Sequence, residues 1–330
     1  MFSVIIPLYN KAAYVQKAIE SVLAQTCQEF ELIVVNDGST DNPLPPKGGY
    51  ENISIDIPVD INSGDTPPLG GWGVLTQNNL GVSVARNNGV KAAQYDYIAF
   101  LDADDWWEPT YLEEMKTLID AFPTAGIYGC NYYKVKNGRY IQANVGVEKE
   151  FEWGLINYCS VYAKTMYMPL WTGATVIKKT VFESENGFKA RLKLGEDFDL
   201  WIRVVLKYPV AFLNKYLSNY NQDVEDLSRG VVQHKIYIPE THFIFNLDYL
   251  SESESANPYL KKLLDLLRVY TLERYRLQQA YPFFYKKEID KVDFNLQSLS
   301  VRLFYFLPIP LLVIWYKFKK VLGKLYKLLR

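Results

Sequence analysis

Histidine and cysteine are scarce in this chain, at two and three residues among 330. Cys27, Cys130 and Cys159 are odd in number, scattered, and never spaced as metal ligands. This argues against a disulfide framework and favours a reducing, cytosolic location. His234 and His242 are the only histidines available as an extra metal ligand, and an isolated histidine at a helix edge is more often structural. Excess charge is missing too. The 36 basic and 37 acidic residues leave a net charge of −1, so there is no reason to expect a nucleic-acid partner, which needs a basic face. The amino terminus has no basic stretch followed by a long apolar run. Met1-Phe2-Ser3-Val4-Ile5-Ile6-Pro7 reads as a buried strand and not as a signal peptide.

What is present describes a folded chain: 49% of residues are hydrophobic and 22% charged. Tyrosine is abundant, at 26 residues. Such rings can line sugar or lipid sites, although core packing accounts for most of them.

The opening alternates between short apolar runs and helical spacing. Residues 3–7 predict a strand, 11–25 a helix through Val15, Ile19, Val22 and Leu23, and 30–36 a second strand. That strand stops at the turn Asp37-Gly38-Ser39-Thr40-Asp41. Strand, helix, strand and polar turn begin a parallel α/β sheet. Residues 42–73 hold so many prolines and glycines that no long helix fits, and only 53–61 alternates well enough for a short strand or edge hairpin. Further elements are predicted as a helix over 82–94, a strand over 97–101, a helix over 109–122, a strand over 126–136 and a helix over 196–206. Residues 234–279 are mostly helical in pattern, broken near Pro239 and Pro258.

The carboxyl end changes character. Residues 303–316 are almost wholly apolar but are interrupted by Pro308 and Pro310. Lys317, Lys319, Lys320, Lys324, Lys327 and Arg330 then alternate with Val321, Leu322, Leu325, Leu328 and Leu329. The run falls short of the roughly 20 residues that a spanning helix needs. A purely basic polar face suits a segment lying in a membrane interface, its lysines toward anionic headgroups. The other reading is a terminal helix docked on the protein's own core.

Ligands of open α/β sheets collect beyond the carboxyl ends of the strands. Three polar clusters stand there: Tyr9-Asn10, Asp37-Gly38-Ser39 and Asp102-Ala103-Asp104. Two carboxylates one residue apart, just past a buried strand, can hold a hard divalent cation that bridges a diphosphate. Capping of the following helix explains Asp105 but is less than Asp102 and Asp104 together require. In Gly195-Glu196-Asp197-Phe198-Asp199-Leu200-Trp201 the acids stand at a helix start, where the dipole keeps them ionised; simple capping accounts for such a segment equally well.

Five motifs occur in order: Ser3 to Asn10, Val34 to Asp41, Gly81 to Asn87, Phe100 to Asp105 and Gly195 to Trp201. Over roughly the first 230 residues the chain resembles the family 2 glycosyltransferases of GT-A fold. The resemblance implies a nucleotide-sugar-binding α/β domain with a mostly parallel central sheet over 1–230. A helical extension over 231–300 and an apolar, basic membrane-interface segment over 301–330 complete the expected organisation. It implies donor contacts from Pro7, Tyr9, Asn10, Asp37, Arg86 and Asp102, with Tyr9 packing on the base and Asp37 hydrogen-bonding it. Asp102 and Asp104 would hold Mn²⁺ or Mg²⁺. Asp197 matches the usual catalytic base, with Asp199 its rival, and Glu196 and Trp201 would serve the acceptor. Ser228-Arg229 resembles a stretch that closes over the donor. The implied activity is inverting transfer from a nucleotide sugar, most readily a UDP-sugar, to a glycan or polyprenyl-linked acceptor at the cytoplasmic face of the inner membrane. The setting implied is assembly of cell-surface polysaccharide. A departure lies between residues 42 and 77, where relatives place a helix and a strand and this chain has its Pro/Gly-rich stretch. Two rivals are weighed. A nucleotidyltransferase needs a Gly/Arg/Lys-rich triphosphate loop, which Asn10-Lys11-Ala12-Ala13 does not supply. An inactive nucleotide-binding, membrane-associated protein would not need the full set of acids.

Overall fold

A computed structural model describes residues 1–42, 54–55, 72–224, 235–312 and 314. They fall into two compact units, Met1–Val232 and Gln233–Arg330. The first begins β1 (Phe2–Leu8), α1 (Val15–Leu23), β2 (Phe30–Asp37), β3 (Ser54–Ile55), β4 (Trp72–Gln77), α2 (Val82–Ala92), β5 (Tyr97–Phe100) and β6 (Trp106–Trp107). It continues with α3 (Tyr111–Ala121), β7 (Ile127–Lys136), β8 (Arg139–Gln142), β9 (Trp153–Ile156) and α4 (Tyr158–Thr165). Last come β10 (Thr175–Lys178), α5 (Lys179–Ser184), α6 (Glu196–Val205) and β11 (Val210–Asn221).

The eleven strands among the described residues join one sheet, whose main path runs β3-β4-β2-β1-β5-β10-β7-β11-β6. From β3 to β5 every pair is parallel. Beyond β5 the sheet turns mixed: β10 runs antiparallel to both β5 and β7, whereas β11 runs parallel to β7. Strand order reverses around β1, which has β2 on one side and β5 on the other. A crevice for ligands opens at such a switch point, past the carboxyl ends of the strands. Here those ends deliver Tyr9, after β1, and Asp102, after β5.

β1 is buried on both faces, which its continuous apolar run requires. Phe2, Val4, Ile6 and Leu8 join one core cluster with Val15, Ala18, Ile19 and Val22 of α1. Ile5 points the other way, toward α2, where a Cβ on Gly89 would lie 2.5 Å from its Cγ2. The backbone of α2 therefore approaches the strand more closely than any side chain permits.

Several boundaries differ from those expected. The helix after Asp105 starts at Tyr111 with Thr110 at its N-cap position, so Asp105 does not cap it. Asp105 is 2% exposed and accepts the Asn221 amide of β11 at 2.8 Å, tying two strand ends together. β4 follows the Pro/Gly-rich stretch directly. Between residues 43 and 71 only Ser54–Ile55 is described, as a short strand within the alternating 53–61 segment.

The second unit holds α7 (Ser251–Ala256), α8 (Pro258–Leu277), α9 (Pro282–Ile289) and α10 (Leu299–Phe306), preceded by three short 3₁₀ turns between Pro239 and Leu250. Pro258 opens α8 where its missing N–H costs nothing, and Asn257 caps the helix by accepting from the Tyr259 and Leu260 amides. Arg268, fully buried, is held by Glu254 at 2.9 Å and by Glu288 at 3.2 Å. His242 is 2% exposed among Phe243, Phe245 and Tyr275, and burial lowers its pKa to about 4. Its Nδ1 accepts the Ile244 amide, which makes it a structural residue. His234, Ser228-Arg229 and the basic tail lie outside the described residues. Among the described residues no helix is long and apolar enough to cross a membrane.

Candidate functional site

The loops after β1 and β2 are knitted together. Asn10 adopts the left-handed region at φ 50°, and its Oδ1 accepts the Thr40 amide at 2.8 Å while its own amide donates to Ser39 Oγ at 3.1 Å. Asp41 accepts the Ala12 amide at 2.8 Å. Pro7 stays buried within β1, opposite Val35. Tyr9, just past the carboxyl end of β1, is 43% exposed.

Asp37 is 3% exposed, and its carboxylate is engaged by three donors: Gln77 Nε2 at 2.7 Å, the Leu80 amide at 2.8 Å and the Gly81 amide at 2.8 Å. Gly81, at φ 94°, is the N-cap of α2. Asp37 thus fixes the turn that launches α2, and α2 carries Arg86 into the site.

Arg86 joins the two acidic clusters. Its guanidinium donates to Asp102 Oδ1 at 2.7 Å through one nitrogen and to Glu196 Oε1 at 3.1 Å through the other. Burial opposes the charge of this 3% exposed side chain, yet Asp102 and Glu196 outweigh it and the pKa is raised. Phe188 stacks beneath the guanidinium at 5.3 Å. Asn87, on the next position of α2, makes a reciprocal pair with the Phe188 backbone at 2.8 and 2.9 Å, which secures the segment leading to Glu196.

Asp102 and Asp104 project from the turn after β5, closed by a 3.0 Å bond from the Asp105 amide to the Asp102 carbonyl. Lys11 forms an ion pair with Asp104 Oδ2. Burial, together with the Asp102 charge, raises the Asp104 pKa against the pull of Lys11. Each aspartate gives one oxygen to a protein cation, Asp102 to Arg86 and Asp104 to Lys11. Among the described residues no third histidine, cysteine or carboxylate gathers with them into a metal-binding group. Two hard carboxylates without a closed cage would suit Mg²⁺ or Mn²⁺.

Asp197 lies in the first turn of α6, after Gly195 at φ 74°. Oδ1 accepts the Phe198 amide at 2.7 Å, and Thr172 Oγ1 stands 3.4 Å from Oδ2. Desolvation, with help from the Glu196 charge, pushes its pKa up to about 7. Asp199, two residues on, is fully buried and held by Lys189 at 2.7 Å and by Arg203 at 3.0 Å. That side chain is a structural counter-ion and cannot reach an acceptor. Trp201 requires a correction: it is fully buried against Phe188, with ring centroids 5.9 Å apart, and does not face an acceptor. The helical repeat places Trp201 with Phe198 and Ile202 on the core side of α6.

The structure thus brings Arg86, Asp102, Glu196 and Asp197 into one site, with Asp104 beside Lys11 on the same turn as Asp102. Sequence reasoning gave no role to Lys11, Asn87, Thr172 or Phe188. Lys11 and Asn87 fall inside or beside quoted motifs, whereas nothing in the sequence marks Thr172.

The family model described as "Glycosyl transferase family 2" matches residues 3–57 and 69–168. Glycosyltransferase GlyA of Streptococcus pneumoniae serotype 4 is 31% identical over 242 residues, covering 69% of this chain and 31% of the relative. An uncharacterized glycosyltransferase of Rickettsia conorii is 28% identical over 272 residues, covering 79% of this chain and 41% of the relative. The chain therefore spans well under half the length of these relatives. Residues 1–349 of S. aureus TarS, solved in complex with UDP-GlcNAc, match with a TM-score of 0.64 at 18% identity, covering 92% of this chain and 86% of that one. The fold is accordingly the GT-A arrangement.

Proposed function

Because the amino-terminal domain of this chain belongs to glycosyl transferase family 2, we propose that the chain transfers a sugar from a nucleoside-diphosphate donor to a glycan or lipid-linked saccharide, inverting the anomeric centre. The observation that carries this reading is the Arg86 bridge, in which one guanidinium touches both Asp102 and Glu196. It joins the cation-holding end of the site to the end that carries the base.

In this mechanism the nucleotide base lies on the exposed Tyr9 ring, and the diphosphate reaches toward Asp102 and Asp104. Mg²⁺ or Mn²⁺ held by those two aspartates would neutralise charge on the departing diphosphate. Asp197 accepts the proton of the acceptor hydroxyl as that oxygen attacks from the face opposite the leaving group. A carboxylate with a pKa near 7 is well matched to this task, being basic enough to take the proton and still ionised in good part at neutral pH. Glu196 and Arg86 orient the groups around it. Tyr132, Tyr158 and Tyr162 lie within reach of the Asp197 charge. Their phenol pKa values are raised chiefly by burial and further by the Asp197 charge. Asp37 keeps its base-recognition role only through a further bond to Oδ2, the oxygen with a single donor.

The donor is read as a UDP-sugar by analogy with TarS, whose complex holds UDP-GlcNAc. Attachment to the cytoplasmic surface of a membrane is supported by the basic, apolar sequence after Lys317 and by the exposed Leu299, Leu303, Phe306 and Leu311 that precede it.

The test is turnover of a nucleotide-sugar panel with and without Mn²⁺, in the unmodified chain and in Asp104→Ala and Asp197→Asn. Asp104→Ala is expected to lose its response to metal. Asp197→Asn is expected to lose about 10²–10⁴-fold in rate. Undiminished turnover in Asp197→Asn removes that residue from the role of base.

A further inference from the structure

A cavity lies outside this constellation, with a volume of roughly 690 Å³, lined by Glu108, Tyr133, Tyr140, Gln142 and Tyr216. Its walls come from β7, β8 and β11, with Glu108 from the segment just after β6. The β7–β8 hairpin turns at Asn137-Gly138, both with positive φ, and Asp223 accepts the Asn137 amide at 2.7 Å to brace the turn. Pairing sets Tyr133 opposite Gln142 and Val135 opposite Tyr140, so the three polar side chains share one face. Tyr132, the preceding residue, points to the other face, where it packs on Trp171. The cavity and the surroundings of Asp197 therefore occupy opposite sides of β7.

The rings stand as partitions. Tyr133 and Tyr216 lie 4.9 Å apart at 31°, Tyr133 and Tyr140 meet edge to face at 5.7 Å, and Trp106 meets Tyr140 at 6.4 Å. Tyr140 is 55% exposed and presents its ring to solvent. Glu108 accepts from Asn219 Nδ2 at 2.9 Å and contributes its carboxylate to the lining of the cavity.

We propose that this cavity is a saccharide-binding groove, separate from the transfer centre, that holds a glycan chain. Pyranose rings offer apolar C–H faces to aromatic planes and paired hydroxyls to carboxylates and carboxamides, and the groove supplies both kinds of partner. An apolar peptide would leave Glu108, Gln142 and the phenols without partners, at a desolvation cost. A phosphate-bearing ligand would meet Glu108 and no cation among the five lining residues. The volume falls within the ~300–1,000 Å³ usual for ligand sites. Only the source of the glycan, acceptor or product, rests on the transferase reading; sugar binding rests on the groove itself.

Saturation-transfer NMR on the full chain, without donor, tests this with maltotriose, cellotriose and chitotriose as probes. At least one is expected to bind in the millimolar range or tighter. Tyr140→Ala and Gln142→Ala, both at exposed hairpin positions, are expected to weaken that binding about tenfold while donor hydrolysis stays within about twofold of the unmodified chain. Failure of all three sugars to bind, or equal binding by both variants, overturns the groove. Sugar binding that depends on Tyr140 in a chain with no donor hydrolysis would uphold the groove and count against the transferase reading.

Discussion

Asp197 and Asp199 stand two residues apart on one helix and do different physical work. Asp197 is partly exposed as a residue, and desolvation of its carboxyl leaves it poised near neutrality. Transfer is expected to rise with pH through about 7 and to level off above it, because only the ionised carboxylate accepts a proton. A rate profile flat from pH 5 to 9, measured at saturating donor and acceptor, would contradict that role. Asp199 answers to Lys189 and Arg203 and has no exposed surface. Its removal strands two cations, so Asp199→Ala is expected to lose about 3 kcal/mol of stability in a denaturant titration. Asp197→Asn should unfold at a higher midpoint than the unmodified chain at pH 8, because a carboxylate whose pKa is raised by burial costs stability once ionised. Primary structure alone ranks these residues only by motif; burial and ion pairing separate them.

At the level of elements, α2 transmits position to the site. Gly89 lets the helix lie against Ile5 of β1, and Arg86 sits one turn earlier on the same helix. Gly89→Ala is expected to cost about 1–3 kcal/mol by overpacking and to weaken donor binding as the guanidinium shifts. Calorimetry with a nucleotide sugar would show it, and unchanged affinity would mean that the helix position is not transmitted. The elements readable in advance were those whose pattern is local. β1, α1 and β2 announce themselves through unbroken apolar runs and helical spacing. β4 escaped because it follows a segment dense in proline and glycine. β11 escaped because Asn214 and Lys215 interrupt it where its pairing with β7 is irregular. The β7–β8 hairpin had a usable signal, Asn137-Gly138, that went unread. Pairings such as Lys11 with Asp104, 93 residues apart, and Thr172 with Asp197 exist only after folding, and no spacing rule reaches them.

For the molecule as a whole, the first unit contains every residue assigned to chemistry, and the second carries exposed apolar side chains along and beyond α10. If residues 301–330 form a membrane-interface segment, deleting 303–330 should move the protein from the membrane pellet to the supernatant on cell fractionation, with donor hydrolysis retained. A truncated chain that still pellets would assign the attachment elsewhere. The knot between Asn10 and Thr40 has a consequence at this scale too. A nucleotide arriving over Tyr9 lands on a floor whose two loops were already locked to each other when the chain folded. Little freedom is left to surrender on association, so complex formation should carry a small entropic penalty and proceed without a slow rearrangement.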